Sequence, residues 1–216
     1  MKISDRLKTI ADFLKEDMNV ADVGADHGLL EIYLIQEEKA KSLFAIENKD
    51  GPFSILKNNL KDYDVTLSKS DGVEAIPNET DAVVIAGMGG ILITNILNAH
   101  PEKLTNVKQI VVDAHRDIEL VRREVTKLGY YTEKEKIVYE NDIYYFVISF
   151  LKGHKEYSEI EYEWGYNIKE DPLFESYREH ELKTLTMNLV RFRSSEKSSL
   201  EAINEKEAKI ERLRNL

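Results

Sequence analysis

The 216-residue chain has no cysteine. That excludes disulfides and thiolate chemistry, removes the usual sulfur ligands of zinc, and suits a reducing cytoplasm. No run approaches the roughly 18 apolar residues a membrane span needs. Residues 1–13 are amphipathic and mixed in charge, without the uninterrupted apolar centre of a signal peptide. The five histidines show no metal-ligand spacing, so no metal is expected. Neither a Gly-x-Ser-x-Gly elbow nor a Walker loop is present, which argues against an α/β-hydrolase and a P-loop nucleotidase. Positive charge is also short: 30 Lys and Arg against 40 Asp and Glu leave a net charge of −10. A nucleic-acid partner usually meets a basic footprint, and the whole chain has none. The deficit is uneven, however. Residues 177–216 hold nine basic and seven acidic side chains, so the tail is the less acidic part.

What is present is a hydrophobic content of 42%, sufficient for a core, and a length suited to one full domain with a small appendage. Apolar residues at Ile3, Leu7, Ile10, Phe13 and Leu14 have helical spacing, with Ser4 or Asp5 as cap. Strands are expected at 19–23, 42–47, 65–68, 81–86 and 109–112, with helices at 29–37, from Gly51-Pro52, after Gly90 and at 118–128. Two β-rich stretches follow in succession, 130–140 and 143–151, joined by an Asn141-Asp142 turn. Alternation of strand and helix, then two strands together, predicts a doubly wound, mostly parallel sheet with an antiparallel edge. Beyond Gly153 the pattern changes. Leu182, Leu185, Leu189 and Phe192 form one stripe, and Leu200, Ile203, Ile210 and Leu213 another, as in a coiled-coil-like helical hairpin. The expected division is therefore 1–153 and 154–216.

The segment Asp22-Val23-Gly24-Ala25-Asp26-His27-Gly28 ends the first strand and opens a helix. Such a turn is expected to let a ligand close to the backbone and to face it with free N–H groups. It departs from the nicotinamide fingerprint, because Asp26 stands where the second glycine belongs. Asp22, Asp26, His27 and Glu31 can all carry charge. Carboxylates do not suit a phosphate cradle; they suit a ligand with a cationic centre and sugar hydroxyls. S-adenosylmethionine has a sulfonium, an ammonium and a ribose, and no phosphate. Glu47, about 20 residues on at the second strand's end, is placed for ribose hydroxyls, with Asn48 beside it. Asp71-Gly72 follows the third strand, where an acid can accept from an adenine amino group. Ile85-Ala86-Gly87-Met88-Gly89-Gly90 ends the fourth, and Asp113-Ala114-His115-Arg116 the fifth. All lie at carboxyl ends of successive strands and so converge on one rim. Trp164-Gly165-Tyr166 offers aromatics that could stack a base.

At these residues the chain resembles the bacterial tRNA (adenine(22)-N1)-methyltransferases of the TrmK type. The likeness runs from Ile3-Ser4-Asp5-Arg6-Leu7 through the Asp22 to His27 turn, Asp50-Gly51-Pro52, Asp71-Gly72 and the Gly87-Met88-Gly89-Gly90 stretch. It continues with Arg122, Gly129-Tyr130, Glu135, Glu140, Tyr145 and Trp164-Gly165. Three places depart from it. The family's Gln-Pro-Asn reads Asp113-Ala114-His115, its Tyr-Leu-Pro reads Leu29-Leu30-Glu31, and its Gly-Pro reads Gly165-Tyr166.

The resemblance implies an α/β fold, a Rossmann-like class I methyltransferase sheet carrying a C-terminal coiled-coil hairpin. It implies methyl transfer from S-adenosyl-L-methionine to N1 of adenine 22 in tRNA. Asp26 is then the catalytic candidate, with His27 orienting it. Asp22, Gly24, Glu47, Asn48, Asp71, Gly72 and Gly87 are expected to bind the donor, and Arg6, Met88, Gly89, Gly90 and His115 the substrate. Lys2, Arg6 and the C-terminal helices are candidates for RNA phosphates. A cytoplasmic monomer with tRNA as partner and no membrane is expected. The alternatives are a small-molecule methyltransferase of the same fold, favoured by the acidic balance, and a catalytically inactive nucleotide-sensing or scaffold relative, favoured by Asp113-Ala114-His115.

Overall fold

The structure, a computed structural model, describes residues 3–194 and 199–216. Lys2 and most of the link after residue 194 lie outside the described residues.

Seven strands form one sheet in the order β3-β2-β1-β4-β5-β7-β6. They are β1 (Asn19–Val23), β2 (Ser42–Ile46), β3 (Thr66–Ser68), β4 (Ala82–Met88), β5 (Gln109–Ala114), β6 (Tyr130–Glu140) and β7 (Ile143–Lys152). The first five are parallel. β7 runs antiparallel between β5 and β6. β6 and β7 are joined by Asn141 and Asp142, both at positive φ (51° and 61°), the conformation a two-residue hairpin turn requires.

β1, β4 and β5 are covered on both faces, so they read as nearly unbroken apolar runs. Alternate residues serve opposite layers. Ala21, Val83, Ile85, Ile110 and Val112 point into one cluster, and Val20, Val84 and Val111 into the other. The second face is closed by α1 (Asp5–Phe13) and α2 (Leu29–Gln36) through Ile10, Phe13, Leu30 and Leu34. Ser4 caps α1, its hydroxyl accepting from the Leu7 N–H. α3 (Asp50–Asn59) packs Leu56 beside β2. The first face is closed by α4 (Gly90–Ala99) and α5 (Ile118–Lys127) through Ile93, Leu97, Val121 and Val125.

The chain beyond Gly153 forms α6 (Glu159–Trp164), α7 (Phe174–Arg193) and α8 (Leu200–Arg214). α7 and α8 lie side by side, with Arg193 ion-paired to Glu207. Their apolar stripes do not close on each other alone. Trp164, Ile168, Phe174 and Leu213 enter the same cluster as the sheet, and Leu182 and Leu185 pack against it. Trp164 is therefore a core residue, 3% exposed, and not a platform for a base.

A buried ion pair holds this junction. Arg122 of α5 is bonded through Nε and Nη2 to Glu135 of β6 (3.0 and 2.8 Å). Its other N–H groups donate to the carbonyls of Tyr162, Glu163 and Trp164, the orphan acceptors at the end of α6. Glu135 accepts in turn from the Tyr166 N–H (2.5 Å).

Candidate active site

A cleft of about 620 Å³ opens at the carboxyl ends of the parallel strands, where open α/β sheets bind ligands. Its floor is the turn after β1. Gly24 (φ 88°), Asp26 (φ 50°) and Gly28 (φ 72°) all take left-handed backbone, which glycine and aspartate tolerate. Gly24 also needs its missing side chain, since a Cβ there would meet the Met88 methyl at 2.3 Å.

Four amides of this turn are already committed within the fold. Gly24 and Ala25 N–H both donate to the Ile46 carbonyl (2.8 and 3.0 Å), and Gly28 N–H to Ala25 (2.9 Å). Asp26 N–H donates to Glu47 (3.2 Å). The physical reason is the close approach of β2, whose end supplies acceptors before any ligand does. With four of its amides committed, the turn has fewer donors to offer a phosphate than an open glycine loop.

Glu47, 6% exposed, closes that end of the cleft. One oxygen accepts from Asp26 N–H and the other from Lys49 N–H (2.9 Å); each keeps a lone pair for a hydroxyl donor. Asn48 bonds to Asp71 through its side-chain amide, and both line the cleft. Asp22 lies at the head of the cleft with its Oδ1 buried and without a donor. Behind it sits Glu31 of α2, fully buried, both oxygens likewise without a donor. Burial and the Glu47 charge push Asp22 up to about 7, and burial and the Asp22 charge raise Glu31 well above the ordinary carboxylate range.

The opposite wall comes from the ends of β4 and β5. A bulge at Gly87 (φ 71°) interrupts the β4–β5 register and turns its N–H to the Asp113 carboxylate (3.1 Å). Asp113, fully buried, also accepts from Arg6 of α1 at 2.5 Å. Desolvation still holds its carboxyl above the ordinary range. Arg6 lies over the Tyr145 ring, 4.8 Å from its centroid, and His115 meets that ring edge-on. Asp113 was not singled out as a functional residue from sequence. The available signal was a lone carboxylate ending an apolar strand, with an arginine in the opening helix to hold it.

Asp26 and His27 stand together on the cleft floor, both well exposed, with His27 Nδ1 3.5 Å from Asp26 Oδ2. Met88 and Gly89 line the cleft with Gly87, Arg6 and His115. Two expected site residues do not. Gly72 is buried beneath the Asp71 loop, where a Cβ would meet Glu74 and Ile96. Gly90 is buried against the start of α5. Its N–H donates to the Arg116 carbonyl, and a Cβ would lie 2.3 Å from the Asp117 carbonyl oxygen. It lets two helices approach and does not line the cleft.

A family model described as a methyltransferase domain matches residues 3–148. The tRNA (adenine(22)-N(1))-methyltransferase of Bacillus subtilis (strain 168) is 33% identical over 162 residues, covering 72% of this chain and 68% of the relative. The chain belongs to the tRNA (adenine(22)-N1)-methyltransferase family. Solved members agree over the full length. The crystal structure of the B. subtilis M1A22 tRNA methyltransferase TrmK is 26% identical with a TM-score of 0.89, covering 99% of this chain and 98% of that one. The structure of M. capricolum TrmK in complex with S-adenosyl-homocysteine is 26% identical with a TM-score of 0.85, covering 100% and 97%.

The cleft of this methyltransferase fits a phosphate-free, cationic donor. Its head carries the unsatisfied Asp22 oxygen, its β2 end carries Glu47, and four amides of the turn between them are committed within the fold.

Proposed function

We propose that the chain transfers a methyl group from S-adenosyl-L-methionine to N1 of adenine 22 in tRNA. The observation that carries this reading is the acidic cleft, lined by Asp22, Glu47 and Asp71, in a chain of this family. When bound, the donor supplies an electrophilic methyl on a sulfonium. Asp22 holds the donor's ammonium, Glu47 and Asn48 its ribose, and Asp71 its adenine amino group.

Adenine N1 has a lone pair, so no proton need leave before attack. Positive charge then spreads over the base. Asp26 stabilises it and takes a proton from the exocyclic amino group, while His27 orients the carboxylate; preorganised charge of this kind is worth most where water is excluded. The target base must leave its stack to reach the cleft. Lys183 and Arg191, exposed on α7, are candidates for RNA phosphates. Several other tail cations are committed to carboxylates, among them Arg178, Arg193, Lys209 and Arg212. The work is done by one copy of the chain in the cytoplasm.

The test is single-turnover transfer to a tRNA transcript with the methyl position mapped by mass spectrometry. Label on N1 of adenine 22 is expected. Asp26→Ala should slow transfer by more than a hundredfold with donor affinity held within about twofold. A variant within about tenfold of the parent, under about 1.4 kcal/mol of barrier, removes Asp26 from the chemistry. Label only on small molecules overturns the tRNA reading.

A further inference from the structure

A second cavity of about 680 Å³ lies between α5, the start of β7 and the C-terminal helices. It is not the donor cleft, but the two share a wall: His115 and Arg116 line both. The first turn of α4 completes this ridge. Ile91 faces the second cavity and Leu92 the donor cleft. Both are more than half exposed, at 57% and 51%, although neighbouring residues of the same helix are buried. Two bare aliphatic side chains on a ridge between two cavities, each large enough to admit a base, have the form of a wedge that parts stacked bases.

Arg116 crowns the ridge. Its guanidinium has no ion pair or side-chain hydrogen bond among the described residues, unlike Arg6, Arg122 and Arg123 nearby. It is nonetheless seated: the side chain lies across Gly89, where a Cβ would meet Nε at 2.5 Å. An uncommitted, positioned arginine suits a phosphodiester.

The far wall of the second cavity is aromatic. Tyr144 packs tilted against His180, 5.3 Å between ring centroids, and edge-on to Tyr177 at 5.6 Å, and aromatic rings accept a base with little sequence preference. Of the five acids on the wall, two are ion-paired within the fold, and Asp117 has no side-chain partner among the described residues. Glu119 is held by Arg123 and Lys209, and Glu163 by Arg212 and Lys209. Asp142 accepts from the Tyr139 hydroxyl, and burial raises Glu181.

We propose that the second cavity is the subsite for the nucleotide flanking the methylated adenine, with Ile91 and Leu92 parting the two bases and Arg116 holding the phosphodiester between them. This rests on the tRNA reading above. Arg116 is a positioning residue; it works on the backbone of the substrate and not on the reacting atoms.

The experiment measures initial rates against tRNA concentration over a salt series for the parent, Arg116→Gln, Arg116→Lys and Tyr144→Leu. Transcripts carry either the natural sequence or an abasic nucleotide at position 21 or 23. Arg116→Gln should raise KM for tRNA about tenfold and lower the log–log salt slope by about one, as the loss of one phosphate contact does. Arg116→Lys should recover most of the slope, and donor affinity by calorimetry should be unchanged in both. An abasic nucleotide at one of the two positions should raise KM severalfold for the parent and add nothing in Tyr144→Leu. If Arg116→Gln keeps the parent KM and slope, or both abasic transcripts behave as the natural one, the subsite is overturned while the methyltransferase reading stands. If the parent leaves adenine 22 unmethylated, the reading falls and the subsite with it. Arg116 is exposed, so its arm decides the matter even if Tyr144→Leu folds poorly.

Discussion

Replacing Glu31 by Gln should make the protein more stable at pH 8 and leave it nearly unchanged at pH 5. Glu31 is fully buried, no donor from elsewhere reaches its oxygens, and its carboxyl faces that of Asp22. Two carboxyls so placed need a shared proton. Raising Asp22 from 3.8 to about 7 corresponds to roughly 4 kcal/mol of preference for the protonated form, at about 1.4 kcal/mol per pH unit. The folded chain therefore keeps a proton that the unfolded chain releases near pH 4. Its contribution to stability is complete below that pH and is lost as pH rises through about 7. Glutamine removes one of the two charges and offers an N–H to the unsatisfied Asp22 oxygen. Desolvation of Asp22 and the nearby Glu47 charge remain, so the gain comes from removing Glu31's own buried carboxyl and from the new hydrogen bond to a charged oxygen, roughly 2 kcal/mol at pH 8. For a chain of this size that is a rise in Tm of about 4–8 °C. Thermal melts of both proteins from pH 5 to 9 provide the assay. A gain of equal size at every pH, or a lower Tm at pH 8, would refute the shared proton.

Two further outcomes follow from packing. Gly90→Ala should cost about 1–3 kcal/mol in urea denaturation, because its Cβ meets a backbone carbonyl that cannot swing aside; an unchanged midpoint would show that α4 and α5 can separate freely. Arg122→Ala leaves Glu135 buried without its partner and uncaps α6, so it should cost about 3–5 kcal/mol and speed hydrogen exchange at Tyr166 and the end of α6. Exchange that stays at the parent rate there would mean the junction is held by Trp164 and its neighbours alone.

Much of the scaffold was legible because buried parallel strands write themselves as apolar runs. β1 falls on the expected 19–23, and the β6–β7 turn on Asn141-Asp142. The errors come from residues whose partners are distant in sequence. β4 was expected to stop at its first glycine, but a bulge lets the ladder resume to Met88. β5 was expected to end before Asp113, yet Arg6 and Gly87 satisfy that carboxylate and the strand runs on to Ala114. The opening of α6 was missed although Ser158 and Glu161 form a capping box, a local signal that was there to be read. Convergence on one rim was legible from strand ends. Which glycines face the cleft was not: a glycine beside a ligand and one beneath a helix look alike in sequence, and Gly90 is the second kind. The sequence puts Arg116 on the rim, but only the fold sets it on a ridge between two cavities.

The tie between the β1 turn and the end of β2 has a consequence for turnover. The Ile46 carbonyl takes two amides of that turn and the Glu47 carboxylate a third. The floor of the cleft is thus shaped by folding, before any donor arrives, and the entropy of ordering it is not charged to binding. Spent donor can leave and fresh donor enter against the same rigid surface, so exchange of one for the other need not wait on a rearrangement of the floor.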